Sequence, residues 1–260
     1  MKVIILAAGQ GTRLRPFTDH CPKCMVKVNG KSMIDYQIEA MRKCGIKESD
    51  ITVVAGYCSH ALQKKAKATK INIIVNREYE NTNMVYSLMC AQKLMEDEND
   101  IIVSYGDIIY GEDVLEKILA SEEDFSVVTD DGWFEYWSSR CADPLDDAET
   151  LILDENNYLV EIGQKTKNLE RIQSQYIGLM RFRDSGLKAL LKICEEAKKR
   201  SEQGIALWRT KRNYQQMYMT DLLQGLIDEN NKLKAVHIQR GWFEIDDKED
   251  LRLAELEMRK

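Results

Sequence analysis

The 260-residue chain is poor in proline (three) and histidine (three), and it has no long apolar run. So few prolines, with only 14 glycines, argue against extended irregular loops. No stretch approaches the roughly 20 apolar residues of a membrane helix. The run from Val3 to Ala8 superficially suggests a signal peptide, but it is too short, and a Gly-rich segment with Arg13 and Arg15 follows at once. A cytoplasmic protein is expected. An excess of positive charge is also missing. Lys and Arg number 37 against 43 Asp and Glu, a net charge of −6, which gives no support to bulk nucleic-acid binding but leaves room for a local phosphate pocket. The cysteines are seven, an odd and scattered set that suits reduced thiols rather than a disulfide framework. Cys21-Pro22-Lys23-Cys24 has CxxC spacing, yet there is no second pair, and His20, His60 and His237 are the only histidines to complete a zinc site. The lysine inside that motif is of more interest than its thiols.

What is present is an alternation of strand and helix. Val3-Ile4-Ile5-Leu6-Ala7 is the continuous apolar run of a strand covered on both faces. Ser32 offers an N-cap to a helix with Ile34, Ile38 and Met41 on one stripe, ended by Gly45. Further strands are predicted at 51–55, 71–75, 101–105 and 125–128, and helices at 59–68 and 114–119. Asn83 caps a predicted helix with Met84, Leu88, Ala91 and Met95 on one face. After about Asp130 the rhythm changes, with the aromatic run Gly132 to Trp137 and an acidic stretch over 141–150. Strands at 158–162, 175–182 and 235–238, the segment 242–246, and helices at 185–200, 220–228 and 248–258 complete the reading. The fold class is α/β, with a mainly parallel central sheet flanked by helices. One domain over 1–260 is expected, in two halves, 1–130 and 131–260.

The strongest local signal is Leu6-Ala7-Ala8-Gly9-Gln10-Gly11-Thr12-Arg13 directly after the first strand. Small residues there let backbone N–H groups approach a polyphosphate, and Arg13 adds a fixed cationic fork. The dinucleotide fingerprint fails because its third glycine falls at Leu14, and no GxxxxGK[ST] loop occurs. Lys23 can neutralise charge on a transferring phosphorus. Asp107 follows the strand at 101–105, where ligands gather in parallel sheets. Glu244 and Asp246, two apart in an extended segment, face the same way. One carboxylate from each half would suit Mg²⁺, which takes one or two carboxylates plus phosphate oxygens. The plain alternatives are a ligand-free Gly turn, a surface lysine, and an Asp246 that merely caps the last helix.

Taken together, the loop, Pro22-Lys23, Asp107 and Glu244-Ile245-Asp246 resemble the nucleotidyltransferases that make NDP-sugars and CDP-choline-type products. The chain is more similar to the cytidylyltransferase branch, on its length and on Asn81-Thr82-Asn83-Met84 leading to Ser87-Leu88. A narrower likeness runs through Lys23-Cys24-Met25-Val26, the segment 142–151, Gln175 to Leu179 and Met217 to Thr220. It resembles the cytidylyltransferases of capsule phosphoramidate biosynthesis.

The resemblance implies a Rossmann-like fold, CTP as donor, Mg²⁺ as cofactor and a small phosphorylated acceptor, with glutamine phosphate foremost. Phosphocholine and sugar-1-phosphates are the alternative acceptors, and a non-catalytic nucleotide-binding subunit is the alternative of another class. It implies that Leu6, Ala7, Ala8, Gly9, Gly11 and Thr12 hold triphosphate and ribose, with Arg13 and Lys23 catalytic. Asn81, Thr82, Ser87, Gly56 and Tyr57 would contact the base, and Asp107 and Asp246 would hold the metal. Lys165 would meet the acceptor phosphate. Tyr110, Trp133 and Tyr176 are further acceptor candidates. The acidic run 143–149 and Arg140 either anchor an amino-acid end or form a salt-bridged loop. No membrane or nucleic-acid partner is expected; a homodimer is plausible, though no seam identifies it.

Overall fold

The computed structural model describes residues 1–259. The first half runs β1 (Lys2–Ala7), a hairpin of β2 (Lys27–Val28) and β3 (Lys31–Ser32), α1 (Met33–Lys43), β4 (Ile51–Ala55), α2 (Ser59–Thr69) and β5 (Asn72–Val75). It continues through α3 (Met84–Met89), α4 (Gln92–Glu96), β6 (Asp100–Tyr105), β7 (Ile108–Tyr110), α5 (Glu112–Leu119) and β8 (Phe125–Asp130). The second half holds α6 (Trp133–Arg140), β9 (Glu149–Leu153), β10 (Leu159–Lys165), β11 (Gln175–Arg183), α7 (Asp184–Glu202), α8 (Met219–Asp228), β12 (Lys234–Ile238), β13 (Trp242–Glu244) and α9 (Lys248–Glu257).

Seven strands form one sheet in the order β12-β8-β11-β6-β1-β4-β5. Every pairing is parallel except those of β11, which runs antiparallel to both β6 and β8. The period of two divides β1 between two cores. Val3, Ile5 and Ala7 pack with the layer of α1, while Ile4 and Leu6 pack on the opposite face with Val85, Leu88 and the residues of α7 and α8. The sheet draws strands from both halves of the chain.

The structure departs from the sequence reading in three places that matter. The helix predicted after Asn83 is two, α3 and α4, because Ala91 sits outside helical geometry (φ −97°, ψ 15°). Leu88, Ala91 and Met95 nevertheless all stay buried, so the apolar stripe survives the break. The acidic stretch ends in a strand, β9, antiparallel to β10. Last, the short strand β7 pairs antiparallel with β13, setting Ile108 opposite Glu244. That pairing brings the two ends of the chain's chemistry together.

Candidate active site

Asp107 lies in the turn between β6 and β7, and Asp246 lies just beyond β13. The β7–β13 ladder and a further bond, from Ile245 N–H to the Asp107 carbonyl at 3.0 Å, place the two carboxylates side by side. Lys23, on a single 3-10 turn after Pro22, reaches between them. Its Nζ donates to Asp107 Oδ2 at 2.7 Å and also to Asp246 Oδ1. Arg13, at the end of the Gly-rich loop, donates to Asp246 Oδ2 at 2.7 Å. Four residues spread over more than 230 positions thus converge beyond the carboxyl ends of β1 and β6.

The electrostatics follow from that convergence. Burial pulls the Lys23 ammonium down, but Asp107 and Asp246 more than reverse it and hold its pKa above the ordinary lysine value. Burial likewise raises Asp246, and Lys23 and Arg13 outweigh it and hold the carboxyl below its usual range. Glu244 is pushed up to about 7 by burial and by the charge of Asp246, against the pull of Arg140. The Asp107 Oδ1 atom is buried and has no hydrogen-bond partner among the described residues. An orphaned carboxylate oxygen beside a second carboxylate fits a hard cation that takes few protein ligands. No group of three or more His, Cys, Asp or Glu side chains able to hold a metal occurs among the described residues, so phosphate oxygens would have to complete the shell.

Beside this cluster a cleft of about 150 Å³ opens, lined by Leu6, Ala8 and Gly9 on one side and Thr82, Asn83 and Ser87 on the other. Asp107 and Tyr105 form its inner end, and Tyr79 and Met84 complete the wall. Gly11 adopts the left-handed conformation (φ +62°), and Thr18 Oγ1 donates to its carbonyl at 2.8 Å, which closes the loop before Thr12 starts a 3-10 turn. Ala7 packs under Gly106, where an added Cβ would lie 2.9 Å from the Ala7 Cβ.

Other sequence candidates fall elsewhere. Gly56 and Tyr57 brace the loop from behind: a Cβ on Gly56 would lie 2.6 Å from the Ala8 carbonyl oxygen, and Tyr57 N–H donates to that same carbonyl at 3.0 Å. Asn81 does not line the cleft; its carbonyl accepts from Gln216 Nε2 at 2.7 Å. Tyr110 and Trp133 are core residues, the first with its hydroxyl 3.3 Å from Ser104 Oγ, and neither faces the cleft. Tyr176 stands one layer back, edge-on to Tyr105 with centroids 5.7 Å apart. Lys165 is exposed, its Nζ donating to the Asp147 carbonyl at 2.7 Å. Arg140 is no free anchor: it is salt-bridged to Glu244 and Asp250. Asp143 and Asp146 pair with Lys167, whereas the carboxylate of Glu149 has no hydrogen bond or ion pair among the described residues. Cys24 is buried, and burial together with Asp107 pushes its thiol up to about 12, so the CxxC spacing carries no reactive pair.

Two buried amides went unnoticed in the sequence. Gln37, fully buried on α1, donates to the carbonyls of Tyr105 (2.8 Å) and Ile108 (2.7 Å) and accepts from Ser104, which fixes the turn bearing Asp107. Asn76 donates to Thr82 Oγ1 and Ser87 Oγ, both at 3.0 Å, and so braces from behind the cleft wall that carries both. Their only sequence signal is a polar residue in an apolar stripe or at a strand end.

The chain is similar to known proteins. The family model described as "Nucleotidyl transferase" matches residues 2–131. The chain is 40% identical over 256 residues to the CTP:phosphoglutamine cytidylyltransferase of Campylobacter jejuni, covering 96% of this chain and 98% of that protein. Among solved structures, the CTP:phosphocholine cytidylyltransferase of Streptococcus pneumoniae superposes with a TM-score of 0.72 at 22% identity, over 100% of this chain and 99% of that one. The inositol-1-phosphate CTP transferase of T. maritima gives 0.73 at 19% identity, over 99% and 95%. These two likenesses concern the fold.

Proposed function

The chain belongs to the nucleotidyl transferase family, and on that premise we propose that it transfers the cytidylyl group of CTP to the phosphate of a phosphorylated glutamine. An acceptor phosphate oxygen forms a bond to the α-phosphorus, the bond from that phosphorus to the bridging oxygen breaks in line, and pyrophosphate leaves. The observation that carries this reading is the convergence of Arg13, Lys23, Asp107 and Asp246 beside a cleft walled by a Gly-rich loop. Backbone amides of that loop position the triphosphate. Arg13 and Lys23 meet the charge that develops on the transferring and leaving phosphates. An acceptor phosphate is ionised near neutral pH, so no protein base is required. Asp107 and Asp246 would hold Mg²⁺, which supplies Lewis-acid stabilisation of the phosphates when bound.

For the acceptor, the ladder pairs Glu149 directly with Lys165, so a carboxylate and an ammonium project from neighbouring strands toward one face. Leu151, two residues beyond Glu149 on the same face of β9, packs in the same core as Leu6 of the cleft. A buried Gln175 amide clamps Glu149 further, accepting from its N–H and donating to its carbonyl at 2.6 Å. Opposite charges side by side complement an amino-acid zwitterion. Trp133, Trp137 and Trp242 are buried in the core, and the half-buried Trp208 stacks against Arg200 at 5.0 Å and donates to Glu229 at 3.1 Å, so none of the four offers an aromatic cage for a quaternary ammonium, which favours the amino acid over choline. On this reading residues 1–130 serve mainly the nucleotide and 131–260 mainly the acceptor. The seven free thiols suit a reducing cytoplasm.

The test is pyrophosphate release with Mg²⁺ across four NTPs and a panel of glutamine phosphate, phosphocholine, phosphoethanolamine and sugar-1-phosphates. Release with CTP and glutamine phosphate alone is expected. Turnover confined to a sugar-1-phosphate, or silence with every pair, would refute the assignment.

A further inference from the structure

The reaction scheme leaves one buried cation beside the site unused. Arg140, the last residue of α6, has a side chain only 5% exposed. Its Nε and NH2 donate to Asp250 Oδ1 and Oδ2 at 2.7 and 3.1 Å, and its NH1 donates to Glu244 Oε2 at 2.7 Å. The rings of Tyr136 and Trp137 lie 5.1 and 5.3 Å from the guanidinium carbon. Asp250, on the first turn of α9, turns its Oδ2 to the backbone N–H of Asp246 at 2.9 Å and of Asp247 at 3.2 Å. Tyr136 adds a second tie, its hydroxyl accepting from Glu244 N–H at 2.9 Å.

The backbone on both sides of Asp246 is therefore fastened to α6. The carboxylate of Asp246 is held differently, by the long side chains of Arg13 and Lys23. Those two cations are the groups that incoming phosphates compete for. Once they turn to substrate, the ties that remain beside Asp246 are the bond from Ile245 N–H to the Asp107 carbonyl and those that run through Asp250 and Glu244. Neither Asp250 nor Glu244 is free to adjust, because a three-bond guanidinium in a nearly dry pocket has one satisfactory orientation.

We propose that Arg140 is a positioning residue of the transfer reaction: through Asp250 and Glu244 it fixes Asp246 and so governs turnover while touching neither substrate. The proposal rests on the family reaction assigned above. A purely structural salt bridge is the competing explanation, and the molecule supplies its own control. Arg181 is also nearly buried and bonds Asp100 at 2.9 and 2.8 Å, but at the far end of the sheet, where β6 begins.

The experiment compares Arg140→Lys, Asp250→Asn, their combination and Arg181→Lys with the parent full-length protein. It measures pyrophosphate release, thermal midpoint, and Mn²⁺ binding by electron paramagnetic resonance with and without CTP. Arg140→Lys and Asp250→Asn should each lower kcat by about 10- to 100-fold, with Mn²⁺ held correspondingly less tightly. The KM for CTP should stay within about twofold, and the double variant should be little worse than either single one. Arg181→Lys should lower the thermal midpoint yet keep kcat and Mn²⁺ binding. The proposal is overturned if Arg140→Lys keeps parental kcat, or if Arg181→Lys loses as much kcat for the same thermal shift. If the parent itself releases no pyrophosphate, the reaction assignment fails instead. Mn²⁺ affinity then decides the role of Arg140: unchanged in Arg140→Lys, it refutes the positioning, and weakened only there and in Asp250→Asn, it supports it.

Discussion

Lys23 bonds two carboxylates at once, Asp107 and Asp246, and this arrangement separates what each residue contributes. On the proposed reaction, removing either aspartate takes away a carboxylate that would hold Mg²⁺, not a packing element. Asp107→Ala and Asp246→Ala should each lower kcat by at least about 10²- to 10³-fold. Circular dichroism should still show a cooperative thermal transition; a variant that keeps turnover would remove that residue from the chemistry. On the proposed reaction, Lys23→Ala leaves the loop amides and Arg13 to bind CTP. Its kcat should therefore fall far more than its CTP affinity, measured by calorimetry, and equal losses would make Lys23 a binding group only.

At the scale of elements, the turn between β6 and β7 depends on a helix that takes no part in the chemistry. Gln37 of α1 is 0% exposed and satisfies two carbonyls and a serine hydroxyl. Gln37→Leu keeps the approximate volume but orphans those groups, at a cost of about 1–3 kcal/mol in unfolding free energy, read from a denaturant titration. Part of the kcat should go with it, since Asp107 sits on that turn. A Leu variant as stable as the parent would mean that other bonds hold the turn. The sequence signalled α1 clearly through Ile34, Ile38 and Met41, all of them buried. It did not single out Gln37, because one polar residue on an apolar stripe reads the same whether it faces a carbonyl pair or solvent.

For the molecule as a whole, the proposed reaction gives acceptor choice to the second half. Glu149→Gln removes the charge while keeping size. It should raise the acceptor KM about ten- to hundredfold, the range expected for a lost charged hydrogen bond, and leave the KM for CTP unchanged. An acceptor analogue lacking the amine should show no such difference between parent and variant; if it does, Glu149 acts on the fold. The alternating apolar runs determined the parallel sheet and its two-sided core, because periodicity is a local property set by burial. The Gly-rich loop followed by Arg13 and Lys23 pointed to phosphate chemistry, since small residues and cations close along the chain are the residue types a polyphosphate calls for. What only the tertiary structure decided is which distant residues meet. The β7–β13 pairing set Asp107 against Asp246, and packing sent Tyr110 and Trp133 into the core while leaving the Glu149 carboxylate without a hydrogen bond or ion pair among the described residues. Those outcomes depend on long-range register and on competition for buried space, which a residue's neighbours along the chain do not encode.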